Sequence, residues 1–287
     1  MNVLITGAGG FIGKNVLERL GDKYNFIPLR HSEVDITNCK AVEEFIKGKN
    51  VQAILHTATK PGHRKAVDKT DLVASNLKLF TSVLKVAEDN GIKLLSIRSG
   101  SEYDMYTRSV DKIKEEDFGK VIPLDDTGYP RYIMNKLIRG SQHAVNLRCF
   151  GVYGKYEDYT MRFISNCIAK AISGKDITIN QDKEFSYIYI DDLVDVIDLF
   201  LQKDCKEKDY NIVPDEIVTM QEIATLVKEM VNPNIKVEVL GKGNNYTGDN
   251  SRFKKEFDFK FTTLKDSLKP LVSYYESIKN EIKEEEL

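Results

Sequence analysis

The stretch NVLITGAGGFIG, residues 2–13, decides the fold. Its first half is an apolar run without alternating polar positions, which reads as a strand buried on both faces. Glycines follow at 7, 10 and 13, and GKNVLERLGDK then continues as a helix. A strand-to-helix turn of this kind wants glycine for three reasons. One makes the tight turn, one lets backbone N–H groups approach a pyrophosphate, and one lets helix and strand pack closely. The context of strand, glycines and helix therefore points to a dinucleotide cradle built from Gly7, Gly10, Phe11, Ile12 and Gly13. The same stretch is glycine-broken and has no basic leader, so no signal peptide is expected.

Outward from this turn the pattern repeats. NFIPLR (25–30), VQAILHTA (51–58) and KLLSIRS (93–99) read as strands. NCKAVEEFIKGK, capped by Asn38, and DLVASNLKLFTSVLKVAEDNG read as the helices between them. Alternating strands and helices predict a parallel sheet with helices on both faces, a Rossmann-type doubly wound α/β fold. After residue 145 the alternation loosens. AVNLRCF (144–150) and FSYIYI (185–190) read as strands, and MRFISNCIAKAISG and DDLVDVIDLFLQK as helices, the latter capped by its own aspartates. TMQEIATLVKEMV opens on Thr219 and Glu222 at capping-box spacing. These features predict a cofactor domain over 1–150, with 184–205 returning to it, and a smaller mixed α/β substrate lobe over most of 151–287. The tail NEIKEEEL is expected to be a frayed, solvated helix end.

Bulk properties narrow the function. The 287 residues carry 42 basic and 44 acidic side chains, a net charge of −2, so no global field favours nucleic acid. The cysteines at 39, 149, 167 and 205 form no Cys-x-x-Cys pair and read as thiols of a reducing compartment. The histidines show no metal-ligand spacing, so no metal is expected. No apolar stretch approaches the roughly 20 residues of a membrane span. A cytoplasmic protein acting on a small molecule is the expectation.

Two Tyr-x-x-x-Lys matches occur. Tyr275 to Lys279 lies on a charged C-terminal helix and reads as chance, whereas Tyr132 to Lys136 follows the fourth strand and its serine. The i,i+4 spacing puts Tyr132 and Lys136 on one helix face; Tyr129, the rival tyrosine, has Ile133 four residues on. A phenol is a poor base at neutral pH, and a nearby ammonium lowers its pKa. Such a tyrosine can exchange the proton of an alcohol while hydride moves to or from a nicotinamide. In RSGSEYD (98–104), Ser99 is the expected hydroxyl that holds the carbonyl oxygen, with Ser101 the alternative. Glu102 is expected to be an ordinary loop residue.

With these motifs the chain resembles the extended short-chain dehydrogenase/reductases, the NAD-dependent epimerase/dehydratase family, and in places its GDP-fucose synthase branch. The resemblance implies a nicotinamide cofactor and a nucleotide-linked sugar. It matches Asp35 and Ile36 in VDIT to an adenine-contacting segment, and Thr57, Ala58 and Thr59 in HTATK to a turn along the cofactor. The second strand, which ends in an acid when NAD is bound, ends here in Arg30, which suits the 2′-phosphate of NADP. The family's dehydratases carry Thr-Asp-Glu where this chain has Ser99, Gly100 and Ser101, so elimination of water is not expected. The cysteine and histidine of the GDP-fucose branch fall at Ser101 and Tyr156, which argues against ring epimerisation. The family's diphosphate-binding arginine falls at Phe185, leaving Arg162, Lys155 or Lys183, with Ser101, to meet the substrate. What the resemblance leaves is an NADP-dependent reductase of a 4-keto sugar nucleotide. The alternatives are a C4 epimerase or dehydrogenase with tightly held NAD, and a non-catalytic cofactor-binding regulator. A homodimer packed through the Tyr132 helix is implied by the resemblance alone.

Overall fold

The computed structural model describes residues 1–63 and 65–287. The first half runs β1 (Asn2–Thr6), α1 (Phe11–Leu20), β2 (Asn25–Leu29), α2 (Cys39–Ile46), β3 (Ala53–His56), α3 (Leu72–Asn90), β4 (Lys93–Ser99), β5 (Val110–Ile113), α4 (Gly128–Gly140) and β6 (Ala144–Cys149). The second half runs β7 (Gly151–Tyr153), α5 (Phe163–Ile172), β8 (Ile177–Ile179), β9 (Glu184–Phe185), β10 (Tyr187–Tyr189), α6 (Ile190–Gln202), β11 (Asp209–Asn211), β12 (Val218–Thr219), α7 (Met220–Val231), β13 (Val237–Val239), β14 (Tyr246–Gly248), α8 (Ser251–Glu256) and α9 (Leu264–Ser277).

Six strands form one parallel sheet in the order β2-β1-β3-β4-β6-β11. Both faces are covered, which is why its inner strands are continuous apolar runs. Alternate side chains serve opposite cores: Val3, Ile5, Leu55 and Leu95 face α1 and α6. Leu4, Ile54 and Leu94 face α2, α3 and α4. Strand order reverses between β1 and β3, and ligands of open α/β sheets bind beyond the strand ends at such a switch.

A second core joins α5, α7 and α9 to the parallel pair β8 and β13, with Ile168, Ile223 and Leu268 fully buried. A four-stranded sheet, β12-β9-β14-β5, lies between this core and the strand ends. The chain crosses between the two bodies repeatedly. Beyond α6, strand β11 is the sixth strand of the central sheet, and Phe253 and Phe257 of the α8 segment lie in its core. A single cut near residue 150 therefore does not separate the bodies.

Three local expectations need correction. FSYIYI is not one strand. It breaks at buried Ser186, whose N–H donates to the Tyr246 carbonyl at 3.1 Å, so β9 joins the outer sheet while β10 pairs with β7. The aspartates opening α6 do not cap it. Asp192 accepts from the N–H and hydroxyl of Thr262 at 2.8 and 2.7 Å, and Asp191 pairs with Arg19. The tail is not a solvated helix end. It forms two short 3-10 turns, buries Ile282 and donates the Lys283 N–H to the Tyr159 hydroxyl at 2.9 Å. Asn38 caps α2 and Thr219 with Glu222 forms the capping box of α7, as the sequence predicts. No described helix is long and apolar enough to cross a membrane.

Candidate active site

The glycine turn closes onto the switch point. Gly7 has φ +74°, and a Cβ there would lie 2.6 Å from Thr57 Oγ1 and 2.9 Å from the Ala58 nitrogen. A Cβ at Gly13 would lie 2.3 Å from the Gly7 carbonyl oxygen, so α1 starts against the turn only if this residue is glycine. The Thr57–Ala58 turn is laced to the end of β1: Thr57 Oγ1 donates to the Thr6 carbonyl at 2.7 Å. Thr59 and the Lys60 N–H donate to Asn76 of α3 at 2.9 and 2.8 Å. Gly7, Gly10, Phe11, Ile12, Gly13, Thr57, Ala58 and Thr59 thus converge at one place, a cradle whose close backbone approach suits a dinucleotide pyrophosphate. Arg30, exposed at the end of β2, is 3.2 Å from Glu33. Asp35 accepts from the Thr37 N–H and hydroxyl, which lowers its carboxyl, and the Ile36 side chain is buried in the sheet core.

From Phe11 and Ile12 a cleft of about 580 Å³ runs past the end of β4 to α5 and β9. Its charged lining is one-sided. Among the described residues, Lys60, Arg98, Arg131, Arg162 and Lys183 line it with one carboxyl group, Glu157. Burial raises Glu157 to about 8, against the opposing influence of the Ser165 hydrogen bond and Arg162, so it enters neutral solution protonated. Lys60 is held by Asp68 at 2.6 Å. A cation-lined cleft beside a dinucleotide cradle is suited to an anionic substrate.

Ser99 sits at the mouth of β4 inside this cleft. Its Oγ lies 3.2 Å from the Tyr246 hydroxyl and accepts from the Ser101 N–H at 3.2 Å. Ser101 also lines the cleft, and its buried hydroxyl has no partner among the described residues. Tyr132 and Lys136 are placed differently from the sequence expectation. They do lie on one face: Lys136 Nζ is 5.6 Å from the Tyr132 ring centre. Yet neither lines the cleft. The Tyr132 ring stacks on Phe118 at 4.9 Å, in an apolar cluster with Tyr103 and Phe150. The i,i+4 pair that does line the cleft is Thr127, the N-cap residue of α4, and Arg131. The physical cause is helix phase, since adjacent positions point about 100° apart.

Lys155 is also outside the cleft. Glu18 of α1 holds it at 2.6 Å and also accepts from the Tyr156 hydroxyl at 2.7 Å. Arg162 and Lys183 do line the cleft. Tyr275 of the second Tyr-x-x-x-Lys match is buried in the outer core and donates to the Glu157 carbonyl. Glu102 is not a solvated loop residue. It is fully buried, accepts from Arg148 Nε at 2.6 Å and from Asn135 at 2.9 Å, and burial lifts it to about 7 against the pull of Arg148.

The comparisons with known proteins identify the family of the chain. The model of the NAD dependent epimerase/dehydratase family matches residues 3–213, from β1 through β11. The chain belongs to that family. Its members are NAD(P)-dependent oxidoreductases of nucleotide sugars, so this family member is an enzyme that uses a nicotinamide cofactor. GDP-L-colitose synthase of Yersinia pseudotuberculosis is 29% identical over 222 residues, 69% of this chain and 71% of that protein. UDP-glucose 4-epimerase of Thermotoga maritima, solved with UDP-glucose, is 19% identical with a TM-score of 0.83 over 96% of this chain and 99% of that one. The GDP-mannoheptose C4 reductase of Campylobacter jejuni, solved with NADP, is 19% identical with a TM-score of 0.81 over 96% and 98%. At these identities the two structures establish the fold.

Within the family fold, sequence reasoning missed Arg98, Thr127, Arg131, Glu157 and Tyr246. Arg98 had a visible signal, a charge one residue before the end of an otherwise apolar strand. Tyr246 had none, because it meets Ser99 across 147 residues of chain. Glu157 makes a pH prediction. Below about 8 it is neutral, and above it a carboxylate appears among the cleft cations. The KM for an anionic substrate is expected to rise as pH passes 8, and Glu157→Gln to flatten that limb in steady-state assays.

Proposed function

We propose that this family member is an NADP-dependent reductase of a 4-keto sugar nucleotide. The observation that carries the reading is the Ser99–Tyr246 hydroxyl pair in a cleft that joins the glycine cradle to the cationic walls. When bound, the nicotinamide supplies the hydride. Ser99 Oγ holds the carbonyl oxygen and donates to the charge that develops there. The Tyr246 hydroxyl stands behind it and replaces the Ser99 proton as the alkoxide is quenched, and the resulting tyrosinate takes its proton back from solvent through the cleft that Tyr246 lines. Burial pushes the Tyr246 phenol upward, with Arg131 opposing, so Tyr246 acts as an acid that stays protonated at neutral pH. Arg162 and Lys183, on the outer wall, suit the substrate diphosphate. Neither Ser99 nor Ser101 can serve as the acid/base pair that elimination of water requires, and the protonated Glu157 lies on the lobe side.

NADP is favoured by Arg30, whose guanidinium suits a 2′-phosphate at the end of β2. Arg30→Ala is expected to weaken NADPH by about tenfold or more, the value of a charge-assisted hydrogen bond, while leaving NADH unchanged in fluorescence titrations. The second reading, a C4 epimerase or dehydrogenase with tightly held NAD, is favoured by Glu33. Its carboxylate, 3.2 Å from Arg30, occupies the same corner and suits a ribose 2′-hydroxyl. Equal binding of both cofactors by Arg30→Ala and by the parent protein would support that reading.

A further inference from the structure

At the floor of the cleft two guanidinium groups stand without an anion. Arg98, one residue before Ser99, is 8% exposed; its Nε donates to Ser96 Oγ at 2.7 Å and its guanidinium lies 4.9 Å from the Phe80 ring centre. Its Nη2 is buried and has no hydrogen-bond partner among the described residues. Arg131, on the cleft face of α4, donates to the Thr127 carbonyl at 2.5 Å. Among the described residues neither arginine forms an ion pair. Two acids act on the pair only through space: Glu102 is ion-paired with Arg148, and Asp125 Oδ1 accepts from the Thr127 and Gly128 N–H groups at 2.9 and 2.8 Å. Burial and then Arg131 depress Arg98 to about 9, which leaves it cationic at neutral pH. Beside the two arginines the Ser101 hydroxyl, also buried and also without a partner, lines the same cleft.

Burying a guanidinium without a counter-charge costs several kcal/mol, and two like charges close together add repulsion. Unsatisfied buried polar groups are rare enough in folded proteins that two in one cleft, Arg98 Nη2 and Ser101 Oγ, beside a second guanidinium call for a ligand. The planar fork of arginine matches a carboxylate or a phosphoryl group through paired hydrogen bonds. The cofactor's own pyrophosphate is met by the Gly7–Gly13 turn after β1, which β3 separates from β4 in the sheet.

We propose that Arg98, Arg131 and Ser101 form a subsite for a compact oxyanion carried by the substrate, next to Ser99. The oxyanion is a carboxylate or a phosphoryl group carried on the sugar, since the diphosphate of the nucleotide is left to Arg162 and Lys183. The subsite deepens the sugar-nucleotide reading and rests on it, since it states what that substrate brings to the floor of the cleft.

The test uses the full chain saturated with NADP, in thermal-shift titrations at constant ionic strength with glucuronate, glucose and inorganic pyrophosphate. Glucuronate or pyrophosphate is expected to stabilise the protein and glucose is not. The Arg131→Met variant is expected to weaken that anion by about tenfold or more, and Arg98→Met to do the same. Stabilisation by glucuronate alone assigns the subsite to a sugar carboxylate, and by pyrophosphate alone to a phosphoryl group. No shift with either anion, or an undiminished shift in Arg131→Met, overturns the proposal. In ligand-free protein, Arg131→Met relieves repulsion and is expected to raise the melting midpoint. A fall in that midpoint would contradict the proposal by showing the guanidinium already satisfied. NADP binding and reduction of 4-keto sugar nucleotides whose sugar is uncharged, measured on the same proteins, report separately on the reductase reading.

Discussion

Replacing Arg148 with methionine is expected to cost about 3–5 kcal/mol of folding stability, the usual result of breaking a buried ion pair from one side. Arg148 is fully buried in β6, where Asn146 is the other polar residue of the strand. Its guanidinium donates to Glu102 through Nε at 2.6 Å, to Asp209 through Nη2 at 2.7 Å and to Asn211 through Nη1 at 2.8 Å. Asp209 has other cations, Arg139 at 2.8 Å and Arg252 at 2.9 Å. Glu102 has only Arg148 as an ion-pair partner among the described residues, and would take up a proton. Urea unfolding is the measurement: the midpoint drops in Arg148→Met, and Glu102→Gln added to it recovers part of the loss. A loss below about 1 kcal/mol would show the network to be worth no more than a surface ion pair. The effect reaches the site, because Glu102 ties the Ser99–Tyr103 turn to Asn135 of α4.

Ser99→Ala is expected to lower kcat by about 10²–10³, as removal of an oxyanion donor does. Tyr246→Phe is expected to lower it by about 10²–10⁴, the range of general acid catalysis, with KM little changed. Tyr132→Phe is expected to stay within a few-fold of the parent. The contrast between the two tyrosines is the informative part, since both are buried phenols in one aromatic cluster and lose one oxygen each. Inactive Tyr132→Phe beside active Tyr246→Phe would return the acid to α4 and refute the cleft assignment.

The central sheet was readable because its strands are buried on both faces, so their apolar runs carry a signal without knowledge of neighbours. The glycine turn was readable for a related reason: Gly7 and Gly13 answer steric demands made within a few residues or by the adjacent strand. The break at Ser186 was not, because it depends on which of two sheets each half of FSYIYI joins. Helix phase explains the misplaced pair on α4. Spacing puts Tyr132 and Lys136 on one face, but which face turns to the cleft is set elsewhere. Met134 and Ile138 bury against the sheet, and Phe118, from the preceding loop, covers the Tyr132 side. Arg98 and Arg148 were written in the sequence as charges inside strands, and the like charge at residue 131 beside the one and the acids at 102 and 209 around the other become visible only once the chain is folded.

The central claim is net hydride transfer to a 4-keto sugar nucleotide in the cleft at Ser99. The direct measurement is NADPH oxidation by the purified protein with 4-keto sugar nucleotides carrying GDP, CDP, UDP and dTDP, followed at 340 nm with product analysis (a wavelength of about 340 nm reports the reduced nicotinamide). At least one substrate is expected to be consumed one-to-one with NADPH, giving the 4-hydroxy sugar. Cofactor that stays bound through purification, with substrate interconverted and no NADPH consumed, would contradict it.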